Sequence, residues 1–476
     1  RQRQMCIRDR FYIVTGVVQQ KKRVGIDLTD GPILKTLIVF AIPIIITNLV
    51  QLLYGMVDLI IIGQYCGSVG TVGVSTGGEM SDLMTPIASA FSTAGQIYIA
   101  QLVGAREEKS IQDTIGTLLT LMIGISAVMM AGTIVFNSAI LKLLNCPPEA
   151  EQQAATYMMI TAVGMPFVFG YNAICGVLRG MGESKRPLLF VLVAASVNVV
   201  VDYVFVAIFK MEAAGAAIAT VLSQMGSCAA AFFYLYKRRE QFDFRLSRSY
   251  FKIQRKPLIV LLKLGLPMLV RIIAVQYSML WVKANVNSYG LVVSATNSVG
   301  GKLEKFLNIF VQGVDGGAGA MMGQNLGARK YERTKKIVFT TLGCTMVFAV
   351  FSASAALLIP RTLFGIFTSD QAVIDYGVTY MSIIAVSYFV SAFCSSFKAL
   401  ITGAGEVILG LFVGILDGVI CRIGISLFCV YVLDLGATGY FWGTALCQVV
   451  PGIVCLGYFV SGKWRTKKLL VNSKQP

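Results

Sequence analysis

Gln101-Leu-Val-Gly-Ala-Arg106 occurs a second time as Gln324-Asn-Leu-Gly-Ala-Arg329, 223 positions later. The same offset carries Gly180-Met-Gly-Glu183 onto Gly403-Ala-Gly-Glu406. An offset of 224 carries Pro43 onto Pro267, and Gly215, Thr220 and Gln224 onto Gly439, Thr444 and Gln448. Chance likeness between apolar helices would scatter such offsets; here they coincide. The chain is therefore read as a duplication. A first half spans 27–236, a basic linker 237–257, and a second half 258–462. Tails lie at 1–26 and 463–476.

The composition says what surrounds the two halves. Hydrophobic residues make up 56% of the 476 and charged residues only 14%, against about 25% in soluble domains. Mean hydropathy is +0.72, so most of the chain cannot face water. A spanning helix needs about 20 apolar residues. Twelve such stretches lie near 34–62, 83–103, 114–136, 154–177, 188–209, 213–236, 258–288, 299–325, 337–359, 375–400, 407–432 and 440–461. No alternating pattern of strands is present, and lipid offers backbone groups no other partner, so these are helices. The expectation is an all-α integral membrane protein with twelve transmembrane helices in two pseudo-symmetric six-helix bundles. Residues 1–10 read as an appended, artefactual segment, and Phe11–Val18 is too short to span.

The net charge of +17 would suggest nucleic acid on a soluble protein. Its distribution gives another meaning. Most of the 41 Lys and Arg fall in alternate segments: the amino-terminal tail, the loops near 106–109, 179–186, 237–263 and 329–336, Lys398, and the carboxy-terminal tail. The intervening loops hold only Lys142, Lys210 and Arg361. Cations accumulate in cytoplasmic loops. Both termini are thus expected to be cytoplasmic in a multi-pass protein of the plasma (inner) membrane, with the lipid bilayer as partner and no nucleic acid. Halves with an even number of spans share one orientation, so an axis along the membrane normal relates them and a substrate path is expected between them.

Histidine is absent, which excludes a Ser-His-Asp triad, a His-ligated metal and a His proton relay. The eleven cysteines are scattered singly without a CxxC, as expected for buried free thiols. No nucleophile constellation remains, so an enzyme is not expected and no cofactor is implied.

Ionisable residues inside spans are costly and line cavities or form pairs. In the first span Thr47, Gln51, Tyr54 and Asp58 recur at steps of four, three and four, on one helical face. Pro43 precedes them and should kink the helix. Asn198 and Asp202 share a face of the fifth span; Thr220 and Gln224 share one of the sixth. Asp58 and Asp202 come late in spans that start inside and Thr220 early in one that starts outside, so all can meet in the outer half of the first bundle. Two carboxylates, an amide and a hydroxyl suit a hard cation, and paired carboxylates also suit a proton. A polar cluster that merely glues helices is the plainer alternative. The second half lacks the set, since the offset of 224 takes Asp58 to Val282, Asn198 to Arg422 and Asp202 to Ser426. Asp315, Asp417, Arg271 and Arg422 read mainly as compensating pairs, and Glu183 and Glu406 as caps or loop contacts. Gln51, Tyr54, Met56, Tyr171, Asn172, Tyr277 and Trp281 are candidates to line a cavity for flat cations.

Taken together, Leu53-Tyr-Gly-Met-Val-Asp58-Leu-Ile-Ile-Ile-Gly63, Gln101 to Arg106 with its repeat, Leu178-Arg-Gly-Met-Gly182, Asn198-x-x-x-Asp202 and Gly215-Ala-Ala-Ile-Ala-Thr220 resemble the multidrug and toxic compound extrusion (MATE) family over almost all of 27–465. The resemblance implies two six-helix bundles around a V-shaped cavity, and antiport of organic, often cationic, compounds against Na⁺ or H⁺. In the family branch with an amino-terminal cation site, the coupling roles fall on Asp58, Asn198, Asp202 and Thr220 and the kink on Pro43. Another branch uses an acid in the seventh span; here that span carries Arg271 and Lys283 and no acid. The resulting expectation is a monomeric secondary antiporter that exports small organic compounds or drugs by alternating access, with Na⁺ or H⁺ as coupling ion and no other metal. A lipid-linked saccharide flippase or metabolite exporter of the same superfamily is the alternative. The Asp-Arg-x-Gly-Arg loop of major-facilitator transporters is missing; Gly104-Ala-Arg-Glu-Glu-Lys109 stands in its place.

Overall fold

A computed structural model describes residues 25–144, 146–238, 251–467 and 470. Residues 1–10, with most of the rest of the amino-terminal tail and most of the basic linker, lie outside the described residues. Twelve long helices make up the rest. They are α1 (Ile33–Tyr65), α2 (Gly67–Gly104), α3 (Glu108–Val135), α4 (Pro148–Gly180), α5 (Lys185–Ile208) and α6 (Glu212–Lys237) in the first half. In the second they are α7 (Arg255–Asn287), α8 (Leu291–Gly327), α9 (Tyr331–Leu358), α10 (Gln371–Ala404), α11 (Val407–Val432) and α12 (Ala437–Val460). The described residues contain no strand.

Ten of the twelve are long and apolar enough to cross a membrane on that ground alone; α2 and α8 are not. Their polar residues include Glu79, Asp82, Lys302, Glu304, Lys305 and Asp315. This corrects the expected start of the second span, since α2 begins at Gly67 rather than near 83. Hydropathy reports lipid contact, and these two helices face each other instead.

The duplication is visible in the backbone. α2 and α8 are each followed, two positions past their last residue, by an arginine of left-handed φ, Arg106 at 58° and Arg329 at 56°. The turn after each is closed in the same way, by Glu107 N–H to Leu102 O at 3.0 Å and Lys330 N–H to Asn325 O at 2.8 Å. α4 and α10 are likewise followed by Gly182 at 87° and Gly405 at 68°, where a side chain would be strained.

The halves interlock at the end of the molecule where the basic residues gather. A Cβ at Gly104 would overlap the Gln324 carbonyl, and one at Gly327 would overlap the Gln101 carbonyl. The two buried glutamines then cross over. Gln101 Nε2 donates to Gly403 O at 2.8 Å, and Gln324 Nε2 donates to Gly180 O at 2.9 Å. Each half thus satisfies a helix-end carbonyl of the other. Gln96 adds a bond to Gly316 O at 3.2 Å. Chain segments brace this clasp from beneath: Ile26 N–H bonds Gly182 O at 3.0 Å, Asn325 Nδ2 bonds Leu28 O at 2.9 Å, and Leu470 N–H bonds Gln101 Oε1 at 3.2 Å. Lys467 reaches Glu406 at 2.7 Å, and burial holds its ammonium below the ordinary lysine pKa.

Losing either glutamine leaves a buried carbonyl without its donor, which costs about 1–3 kcal/mol. Gln101→Leu and Gln324→Leu are each expected to lower the midpoint of thermal unfolding in detergent by a few degrees. An unchanged midpoint for both would show that water replaces the amides.

α1 and α7 change partners along their length. Leu37, Phe40, Ala41, Ile44 and Ile45 of α1 share a core with Val314, Ala318, Met321 and Met322 of α8, where Gly313 lets Ile45 approach. Leu261 and Leu264 of α7 pack with Phe91 and Ala94 of α2, at Gly265. Away from the clasp, α2 and α8 turn to their own halves: Gly77 abuts Tyr157 of α4, and Gly300 abuts Tyr380 of α10.

Candidate cation site in the first half

α1, α5 and α6 build a polar cluster in the first half. On α1 the face read from sequence is present, and it begins at Pro43, which interrupts the hydrogen-bond ladder within a continuous helix. Thr47 Oγ1 donates to Pro43 O at 2.7 Å. Gln51 is exposed and Tyr54 half-buried. Asp58 follows a turn later.

α5 brings Asp202 against Asp58. The two carboxyls lie within hydrogen-bonding reach of each other, and the Asn198 amide lies beside Asp202. Asp202 is fully buried and Asn198 nearly so. Asp58 Oδ1, Asn198 Oδ1 and both oxygens of Asp202 are buried without a protein hydrogen bond. None of the ion pairs found among the described residues involves Asp58 or Asp202. With three carboxylate oxygens and one amide oxygen buried and without a partner, the two acids repel each other unless a proton or cation sits among them. The donor set is all oxygen, which suits a hard cation or a proton.

A feature invisible in the sequence adjoins the site. The backbone turns from α to π geometry immediately after Asp202, over Tyr203–Ile208. π turns recur at functional sites.

The other candidates lie as follows. Thr220 is half-buried on α6. Tyr171 is buried in the core of the first half, near Tyr54 and Cys175. The Asn172 amide bonds Val168 O at 2.8 Å, within its own helix. Met56 and Tyr277 are exposed, and Trp281 packs on Tyr440 with ring centres 5.8 Å apart.

In the second half Arg422 stands where Asn198 does in the first. Its guanidinium is 3.6 Å from Asp417, which also accepts from Gln448 Nε2 at 3.3 Å. Asp315 pairs at 3.5 Å with Lys398 rather than with Arg271. The sequence reading passed over Glu304. It is half-buried in the second half near Tyr380 and Arg422, masked in the sequence by flanking Lys302 and Lys305. Helical spacing could have shown it, because Glu304 occupies a different face from those lysines. Glu183 accepts from the Lys185 and Arg186 amides at the start of α5, and Glu406 from Tyr458. The ten described cysteines are all free.

Comparison with known proteins places the chain. The family model MatE matches twice, over residues 43–204 and 267–427. "Probable multidrug resistance protein YpnP" of Bacillus subtilis (strain 168) is 26% identical over 93% of this chain and 98% of its own. "Multidrug export protein MepA" of Staphylococcus aureus (strain NCTC 8325 / PS 47) is 21% identical over 90% of this chain and 93% of its own. Among solved structures, "Outward-facing conformation of a multidrug resistance MATE family transporter of the MOP superfamily" superposes with a TM-score of 0.87 at 19% identity, covering 93% of this chain and 99% of that one. "Crystal structure of MATE in the straight conformation" superposes at 0.86 over 92% and 98%. With its two matched halves, each of six membrane-length helices, this chain belongs to the MatE family.

Proposed function

We propose that this protein exports small organic compounds, cationic ones among them, across the plasma membrane in exchange for Na⁺ or H⁺, by alternating access of the cleft between its halves. The observation that carries the reading is the Asp58–Asp202 pair with its undonated oxygens. A cation bound there neutralises the pair, and it drives transport only by favouring one conformation over another. The names of the relatives supply the substrate class. In this reading the basic end, with the clasp, faces the cytoplasm and the cleft opens outward. Cation entry from outside then acts through α1, which bends at Pro43 and reshapes the cleft. Asn198 and Asp202 are held on α5 while Asp58 moves with α1, and Thr220 on α6 completes the ligand set as α1 bends.

The test is reconstitution. Purified protein in liposomes receives an imposed Na⁺ gradient or an imposed pH gradient, and the movement of several dye cations is followed. One of the two gradients is expected to drive uptake against the dye gradient. Movement driven by neither, or translocation of a lipid-linked saccharide without any gradient, would refute the antiport reading.

A further inference from the structure

α5 and α11 end in the same way. Phe209 N–H bonds Val204 O at 2.9 Å, and Leu433 N–H bonds Phe428 O at 3.2 Å. Met211 N–H bonds Phe205 O at 2.9 Å, and Leu435 N–H bonds Cys429 O at 3.1 Å. A Cβ at Gly215 of α6 would meet the Phe205 carbonyl carbon, and one at Gly439 of α12 the Cys429 carbonyl carbon. Each of these residues moves by 224 between the halves, so the backbone repeats here as the sequence does. Arg422 on α11 therefore stands where Asn198 stands on α5, and Ser426 where Asp202 stands.

The second half has one device that the first lacks. α11 contains an additional π stretch, Leu416–Cys421, whereas the corresponding residues 192–197 of α5 are α-helical. Five residues along an α-helix leave two side chains about 140° apart around the axis. A π turn bonds each residue to the fifth one on and brings the two toward one side. The Asp417 carboxylate accordingly lies 3.6 Å from the Arg422 guanidinium. Gln448 Nε2 of α12 donates to the same carboxylate at 3.3 Å. Arg422 is 4% exposed and Ser426 fully buried. Arg422 Nε, Asp417 Oδ1, Ser426 Oγ and Gln448 Oε1 are buried without a hydrogen bond.

We propose that Arg422 is a cation tethered to the chain, which fills in the second half the place that the first half leaves to a coupling ion. A carboxylate buried alone is costly, and a cationic partner removes the cost. For Asp58 and Asp202 that partner comes from solution; for Asp417 it is covalently attached. The second half is thus permanently neutralised, and ion uptake is confined to the first. The comparison between halves rests on the coupling-site reading above, whereas the neutralisation of Asp417 does not. Arg422 acts through Asp417 and is a positioning residue.

The experiment removes the guanidinium and asks whether the second half then needs a cation. Full-length protein carries Asp58→Asn/Asp202→Asn throughout, which silences the first half. Thermal unfolding in detergent is followed in NaCl or in choline chloride of equal strength, at acidic and at mildly alkaline pH. Relative to the same protein with Arg422 in place, Arg422→Gln is expected to lower the midpoint by several degrees in choline chloride at alkaline pH. Na⁺ or acid is expected to recover at least half of that loss, because either can take the place of the guanidinium. Arg422→Lys keeps the charge and is expected to gain no such dependence. Asp417→Asn/Arg422→Gln removes both charges; it is expected to lose the dependence again, and to fold even should Arg422→Gln alone fail. The other charged or titratable groups around Asp417 and Arg422 are Arg271 of α7, Glu304 of α8, Tyr380 and Lys398 of α10 and Cys447 of α12, and they are common to every variant. Arg422→Gln protein indifferent to both salt and pH overturns the proposal, as does Arg422→Lys protein with the dependence of the Gln variant. So does a neutral pair that keeps the dependence, or that fails to fold along with Arg422→Gln. Failure of the coupling-site reading shows separately, as a parent with both first-half acids that gains no stability from Na⁺ or acid.

Discussion

Asp58→Asn and Asp202→Asn are each expected to reduce gradient-driven export about 5–150-fold, the range that loss of a coupling free energy of about 1–3 kcal/mol produces. Each change keeps the shape of the side chain and removes one negative charge. The remaining carboxylate then sits beside an amide that needs no cation, so ion occupancy no longer separates the two conformations. Binding of a dye cation to detergent-solubilised protein is expected to survive, because the acid pair lies within the first half rather than across the cleft. Asp58→Glu retains the charge and is expected to retain part of the transport. Measurement is by dye movement in liposomes under the driving gradient. Export at the normal rate by Asp58→Asn would remove the acid pair from the mechanism and leave it as helix glue.

Gly104→Val and Gly327→Val are expected to act from the other end of the molecule. Even a single Cβ at either glycine would overlap a backbone carbonyl of the facing half, Gln324 or Gln101. Backbone cannot step aside as a flexible side chain can, so the clasp must part. Overpacking of this kind costs about 1–3 kcal/mol, enough to shift the balance of conformations about 5–150-fold toward the state open at the basic end. The readout is maleimide labelling of a cysteine placed at Ala100, which packs on Gly323 with 3.1 Å to a notional Cβ there. Labelling is expected to rise and export to fall. Unchanged labelling in both variants would mean that the halves never separate at the clasp.

The repeat that organises the fold was legible as plain sequence, and so was the number of spans. Apolar runs of sufficient length can do little else than cross a bilayer. The polar face of α1 and the Asn198–Asp202 step were legible because a helix places residues three and four apart on one side whatever surrounds it. The start of α2 was not legible. Residues from Gly67 to Asp82 are mostly small or polar, and hydropathy registers lipid contact, which this stretch of α2 partly replaces with packing on α4. Glu304 escaped because two lysines flank it. The partner of Lys398 escaped because Asp315 is far away in the chain.

By itself, then, the sequence determined everything that repeats along one helix: the twelve spans, their kinship across halves, and which side of α1 and α5 is acidic. The tertiary structure decided what depends on two helices at once. It crossed Gln101 and Gln324 onto each other's half. It seated the first turns of α1 and α7 in the opposite core. It pressed Asp58 and Asp202 together and left their buried oxygens without a hydrogen-bond partner. The physical reason is range. The helical period acts between residues a few positions apart. Such contacts are chosen by shape and charge between segments far apart in the chain, where no local pattern records the partner.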